Sequence, residues 1–234
     1  MKTQFRHELL DGWNKDKVRA TTVLIGGIGA TGSQAVVTLA RIGVGKIIVI
    51  DKDVLEEHNI GNQVYRRSQI GKTKVNALKE IIAEFSDTNI IGVTAKVQDV
   101  EFDYFDPDVF FGNFDNHGAR FALNYEAIIS GKPYIDVGIE NYTGTLRFVL
   151  PGKTSCMECW PALMKETERR VGCSEQVIPT AYFVASYAAN LQVAELLNHL
   201  FGKETHPLLY FDLQQGKTSP VWLEHNPGCK LCSK

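Results

Sequence analysis

Four of the five cysteines in this 234-residue chain fall in two pairs of identical spacing, "CMEC" (Cys156, Cys159) and "CKLC" (Cys229, Cys232). Two CxxC units supply four thiolates, the ligand set of a closed tetrahedral structural zinc site. Four protein ligands leave no position open for water. The expected role is therefore to staple the tail to the middle of the chain, outside any catalysis. The competing readings are a thioredoxin-like redox pair, which does not normally come in two copies, and cysteines without metal. A second constellation is "GGIGATGS", in which Gly27, Gly29 and Gly32 have GxGxxG spacing. Glycines there permit a tight turn and let backbone N–H groups approach a phosphate, and the N-terminus of a following helix favours the anion. Asp51 comes about twenty residues later, where a carboxylate accepts from ribose hydroxyls. By itself the loop does not separate a nicotinamide dinucleotide from ATP.

The next segment, "DKDVLEEHNIGNQVYRRSQIGKTKVNAL", makes that separation. It carries a second aspartate, an Asn-x-x-x-Gln stretch, two arginines and Lys74 at a helix start. A dehydrogenase has no need of this set. Cleavage of ATP between its α and β phosphates does, because charge builds up on the phosphorus centre and on the leaving pyrophosphate.

The elements that must hold these residues follow from periodicity. "TTVLIGG" is a short β-rich run ending in glycine, "SQAVVTLARIGVG" a helix closed by Gly43 and Gly45, and "KIIVID" a second buried strand, together a βαβ unit. Val75, Leu78, Ile82 and Phe85 share one helical face, while "DVFFGNFD" and "PYIDVG" read as later strands. "TAYFVASYAANLQVAELLNHLFG" is a long apolar helix, preceded by Pro179 and stopped by Gly202, that serves as a core or dimer helix. The alternation predicts an α/β fold, a Rossmann-like, mostly parallel sheet with helices on both faces and a zinc-bound C-terminal tail. A single domain over 1–234 is expected, with residues 1–20 an N-terminal extension and 151–234 the zinc-stapled part.

Composition sets the outer limits. Hydrophobic content of 44% and charged content of 22% are ordinary for a globular chain. A formal net charge of −2 argues against a broad nucleic-acid-binding face. No window reaches the roughly 18 apolar residues of a membrane span, and the N-terminus lacks the apolar core of a signal peptide, so a cytoplasmic location is expected.

Taken jointly, these motifs resemble the ThiF/MoeB/HesA superfamily, the ubiquitin-activating-enzyme-like adenylyltransferases. The resemblance runs from about Thr21 to Cys232. Where that family has GxGGxGS, Asp-x-Asp, "SNLxRQ", "GxxK", "TDN" followed by arginine, and paired CxxC units, this chain has "GIGATGS", "DKD", "HNIGNQ", "GKTK", "FDNHGAR" and its two CxxC pairs. The resemblance implies ATP-dependent adenylation of the C-terminal carboxylate of a small ubiquitin-like or sulfur-carrier protein ending in glycine, by a homodimer. It implies that Asp51 holds the ribose and that Asp53 lies near nucleotide or metal. Asn59, Gln63 and Lys74 fall in the motifs that meet the nucleotide, with Asn59 and Lys74 on its phosphates. Asp115 would place magnesium and the α-phosphate beside the acceptor carboxylate. Arg6 would correspond to an N-terminal arginine that reaches the partner's ATP, or else be a plain surface residue.

Two positions depart from the family pattern. Ala30 replaces a loop glycine, which leaves the backbone donors intact. Asn62 replaces the arginine of "NLxRQ", and Arg66, or its neighbour Arg67, is expected to substitute for it. Cys173, in "RRVGCSEQVIP" with Arg169 and Arg170 close by, is either the acyl-accepting thiol that some family members use or an inert one. Rival functions are adenylation of another carboxylate or base on a peptide or tRNA, a nucleotide-binding module without activity, and a nicotinamide-dependent oxidoreductase, which would bind NAD(H) with a change in fluorescence.

Overall fold

A computed structural model describes residues 6–160 and 179–233; Cys173 and its arginine neighbours, Arg169 and Arg170, lie outside them. Eight strands form one sheet in the order β3-β2-β1-β4-β5-β6-β7-β8. The first five are β1 (Thr22–Gly26), β2 (Lys46–Ile50), β3 (Asn89–Val93), β4 (Val109–Gly112) and β5 (Tyr134–Glu140). They pair in parallel, as the alternating pattern predicts. The remaining strands, β6 (Thr143–Val149), β7 (Leu208–Asp212) and β8 (Lys217–Pro220), continue the sheet antiparallel. The sheet is therefore mixed. Apolar periodicity does not mark its antiparallel half, because β6 is rich in Thr and Gly and β8 is an exposed four-residue edge carrying a proline.

Alternate residues of the parallel strands serve opposite faces. Ile25, Ile47 and Val49 join one core with α2 (Ala30–Ile42), α3 (Lys74–Ala83) and α5 (Tyr182–Leu200), whereas Leu24, Ile48 and Ile50 join another beneath α4 (His117–Ile129). A short α1 (Lys15–Ala20) precedes β1. The stop signals work as expected: Gly43 ends α2 in the left-handed region at φ 91°, and Gly202 follows α5 at φ 68°. The long α5 buries Val184, Ala188, Val193 and Leu196, which makes it a core helix. Among the described residues no helix is long and apolar enough to cross a membrane.

Strand order reverses direction of growth between β1 and β4, whose last residues Gly26 and Gly112 are paired. A crevice outside the carboxyl ends at such a switch point is where open α/β sheets bind ligands.

Candidate active site and metal centre

The crevice is a cavity of about 850 Å³, within the range of small-molecule sites. Gly27, Gly29, Asp51, Asp53, Asn59, Gln63, Lys74 and Asp115 all line it. Gly32 lies just behind, in the first turn of α2, so close that a Cβ there would meet the Gly27 carbonyl oxygen at 1.9 Å. That contact is why the third loop glycine has no side chain: the helix has to rest on the turn it closes. Gly27, at φ 79°, adopts a conformation other residues avoid.

Asp51 is 7% exposed at the end of β2, with Oδ2 accepting from the Ile28 N–H at 2.8 Å and Oδ1 from the Asp53 N–H at 2.9 Å. Burial raises its pKa, and the Lys74 ammonium and these two N–H donors oppose that rise. The carboxylate thus braces the glycine loop while facing the cavity. Tyr65 braces it from the other side by donating to the Ile28 carbonyl at 2.8 Å.

Lys74 begins α3, capped by the Thr73 hydroxyl, and is 6% exposed. Its Nζ donates to Asp53 Oδ2 at 2.8 Å, so the buried ammonium arrives already paired at the cavity wall. Asn59 is buried in a 3₁₀ turn (Glu57–Gly61), its side-chain oxygen accepting from the Glu56 N–H. Asn62 and Gln63 follow it onto the lining, and their side-chain oxygens are buried without a partner. Such groups favour a ligand that can donate to them. Asp115 is exposed in the β4–α4 turn, and Asn116 caps α4 by accepting from the Ala119 N–H at 2.9 Å.

Three predicted arginines are not brought here. Arg66 sits in a bidentate pair with Glu84, beyond the C-terminal end of α3, and Arg67 lies 3.6 Å from Glu57. Neither lines the cavity, because Gln69 and Glu80 anchor the 3₁₀ turn Arg67–Gln69 against the outer side of α3. Arg6 is exposed where the turn His7–Leu9 stacks through Trp13 onto Phe201, away from this chain's own cavity. The structure adds Arg120, whose guanidinium lines the cavity and is gripped by Asp136 through Nε at 3.0 Å and through Nη2. Burial works against the Arg120 charge, and the Asp136 carboxylate more than offsets it. In the sequence Arg120 is the arginine of "FDNHGAR", one of the motifs that carry the family resemblance, and its partner Asp136 is the charged residue inside the apolar strand run "PYIDVG".

On the opposite side of the sheet from α2, Cys156, Cys159, Cys229 and Cys232 are all buried, with their sulfurs within 4.8 Å of one another. Separations of 3.7 Å (Cys156–Cys229), 3.8 Å (Cys156–Cys159) and 3.5 Å (Cys159–Cys232) match the roughly 3.8 Å edge of a tetrahedron of sulfurs about 2.3 Å from zinc. Burial pushes the Cys156 thiol up and the Cys232 thiol up to about 12, whereas at Cys229 burial is outweighed by the backbone N–H donors of Cys232 and Leu231, which lower it; holding all four as thiolates at this range calls for a divalent cation. The donor set fits zinc. Outer contacts fix both limbs: Arg147 donates to the Cys156 carbonyl at 3.1 Å, and Asn226 donates to the Cys159 carbonyl at 3.2 Å.

A glycine cradle at a sheet switch point, a buried aspartate and a paired lysine on its cavity and a remote cluster of four cysteines that could hold a metal define a Rossmann-like α/β protein. The sequence matches the ThiF family over residues 2–231, and the chain belongs to that family. Relatives include the ubiquitin-like modifier-activating enzyme 5 of Dictyostelium discoideum, 28% identical over 84% of this chain and 58% of that protein. The protein of the same name from Arabidopsis thaliana is 27% identical over 92% of this chain and 56% of its own length. The chain thus spans little more than half of these curated relatives. Among solved structures, Escherichia coli MccB with ATP superposes with a TM-score of 0.80 at 23% identity, covering 93% of this chain and 68% of that one. PaaA gives 0.75 at 20%, over 88% and 74%.

Proposed function

We propose that this protein adenylates the C-terminal carboxylate of a small ubiquitin-like or sulfur-carrier protein, consuming ATP and releasing pyrophosphate. The observation that carries this reading is the joint opening of the glycine cradle, the buried Lys74 with its partner Asp53, and Asp115 onto one cavity. Family membership supports it, as do the relatives whose name states activation of a ubiquitin-like modifier.

In the reaction, an acceptor carboxylate oxygen attacks the α-phosphorus, the bond from that phosphorus to the α,β-bridging oxygen breaks, and pyrophosphate leaves with that electron pair. The product is an acyl-adenylate. No proton moves in this step, so charge placement is the protein's main contribution. Gly27 and Gly29 cradle phosphate, with Gly32 resting the helix on their turn, Asp51 takes the ribose hydroxyls, and Lys74, with Asn59 and Gln63, meets the phosphates. Asp115 and Asp53 are the carboxylates that would hold magnesium. Cys173 is the candidate thiol for later acyl transfer.

The position of Asn62 calls for a cation that Arg66 does not provide in this arrangement. Lys74 and Arg120 on the cavity wall, and Arg6 of a second copy in a homodimer, supply the candidates. ATP–pyrophosphate exchange with carrier proteins ending in Gly-Gly tests the reading. We expect exchange in the wild type and in Cys173→Ala, and its loss in Asp115→Ala. Nucleotide binding without exchange with any carrier favours a binding module instead, and a fluorescence change with NADH in place of ATP binding overturns the reading.

A further inference from the structure

The segment "LEHNPG" supplies no cysteine to the four-sulfur cluster, yet it touches both of its limbs. Trp160 Nε1 donates to the Glu224 carbonyl at 2.9 Å, and the Asn226 amide donates to the Cys159 carbonyl at 3.2 Å. Between these two contacts, His225 Nε2 lies 3.3 Å from Cys232 Sγ. We infer that His225 is an outer-sphere donor to the Cys232 sulfur, which keeps that thiolate on the metal and shields it from electrophiles. The inference rests on the four-cysteine centre holding zinc and is independent of the adenylation reading.

The direction of the contact follows from its neighbours. The Ser233 hydroxyl donates its one hydrogen to the Asn226 carbonyl at 2.9 Å, so toward His225 Nε2, 3.4 Å away, its oxygen can only accept. A metal-bound thiolate is likewise only an acceptor. Nε2 therefore carries the ring proton and gives it mainly to sulfur, because 3.4 Å is long for a bond to oxygen whereas 3.3 Å is close for the larger sulfur atom. The turn that carries the ring is tied in turn, with the Gly228 N–H on Asn226 Oδ1 and the Cys229 N–H on the Asn226 carbonyl, each at 2.9 Å.

The other sulfurs are served differently. Cys156 accepts from the Glu158 N–H, and Cys229 from the N–H groups of Leu231 and Cys232. The Arg147 guanidinium, fixed on the Cys156 carbonyl at 3.1 Å, acts through its charge on Cys156 and Cys159. Among the described residues, the polar contacts of the Cys232 sulfur are the other cysteines and His225. Four thiolates bring four negative charges to a dication, so a sulfur without a donor keeps the most electron density and is the best nucleophile of the set. His225, itself half-buried, withdraws density from the sulfur that would otherwise be in that state.

The test uses the full chain loaded with zinc and, in parallel, with cobalt. Outer-sphere partners of a metal ligand are worth about tenfold to a hundredfold in metal affinity, so His225→Ala is expected to weaken zinc by that factor in competition with a chelator at fixed pH. Iodoacetamide alkylates a thiolate sulfur through its electron pair and expels iodide. It should release zinc faster from His225→Ala than from the wild type, with Cys232 the first of the four sulfurs modified in peptide mass spectra. In the wild type another of the four should react first. His225→Gln, which places an amide N–H where Nε2 stands, should restore affinity and order toward wild type. In the cobalt form the sulfur-to-metal charge-transfer band should move to lower energy in His225→Ala and return in His225→Gln, a shift that a change in folding stability alone does not produce.

Equal zinc affinity in wild type and His225→Ala overturns the proposal. Alkylation that begins at Cys232 in the wild type, or at another of the four in His225→Ala, does so too. If His225→Gln behaves as His225→Ala, the ring acts by packing and the donor role is lost. A wild-type cobalt spectrum of three sulfurs and one nitrogen overturns the proposal by making His225 a ligand, and a chain that binds no zinc removes its basis.

Discussion

Within the glycine loop, neighbouring residues of one type have opposite constraints. Gly32 has no room for a Cβ, which would lie 1.9 Å from a backbone oxygen, whereas nothing lies within 4 Å of a Cβ on Gly29. Gly32→Ala is therefore expected to displace the α2 N-terminus and cost about 1–3 kcal/mol of stability, seen as a lowered midpoint in thermal unfolding. Gly29→Ala should unfold at the wild-type temperature while weakening ATP in calorimetry, because the proposed nucleotide site puts the phosphates in its open space. The same contrast applies at Lys74. Its ammonium is buried and hydrogen-bonded to the half-exposed Asp53, so Lys74→Ala removes the cation proposed to meet the phosphates and leaves Asp53 without its partner. The expected loss is about tenfold to a hundredfold in ATP affinity, the range of one charge-assisted hydrogen bond. An unchanged affinity in that calorimetric titration would remove Lys74 from the nucleotide site.

Elements set which of these residues sequence alone makes legible. The βαβ unit, α3, β4, β5 and α5 all announce themselves by apolar periodicity with glycine stops, and the residues that line the nucleotide end lie at their tips. The cavity wall at Arg120 depends instead on pairings between elements: Arg120 belongs to α4, Asp136 to β5 and Arg147 to β6, and no spacing along the chain brings them together. Arg66 shows the same limit from the other side, since one turn of chain separates it from Gln63, yet the 3₁₀ turn beside it directs it to Glu84. The packing of α5 has a titratable consequence. His199 packs against Phe148 with ring centroids 5.5 Å apart and the rings tilted by 51°, and burial, aided by the Lys153 charge, lowers its pKa. The folded state thus favours neutral imidazole. Its contribution to stability is complete above the ordinary value near 6.5 and is lost as pH falls from there through the lowered one. His199→Gln should flatten the fall in unfolding midpoint between about pH 7 and 5, measured against wild type by calorimetry; identical slopes would show that this ring carries none of it.

At the scale of the whole molecule, the four-cysteine centre and the nucleotide cavity divide the work. The cysteines join residues 156–159, which follow β6, to residues 229–232 at the end of the chain, and they sit in the apolar core beneath α4 with Leu123 and Ala127. The centre therefore supports the helix that Asn116 caps and that carries Arg120, while the glycine cradle rests on the other core, with α2 and α3. Removing a metal from the first core should then cost global stability and loosen the α4 side before it touches the cradle. We expect about one zinc per chain by elemental analysis. Chelation, or Cys229→Ser, should lower the unfolding midpoint by roughly 10 °C, since a ligand present at about a thousand times its dissociation constant stabilises by about 4 kcal/mol and each kcal/mol shifts a domain of this size by about 2–4 °C. Hydrogen exchange should show α4 and the 226–233 tail losing protection first, with ATP still binding at the cradle until the sheet opens. Protection lost uniformly, with ATP affinity falling in step, would mean that the two cores unfold as one unit and that the metal supports the nucleotide site directly.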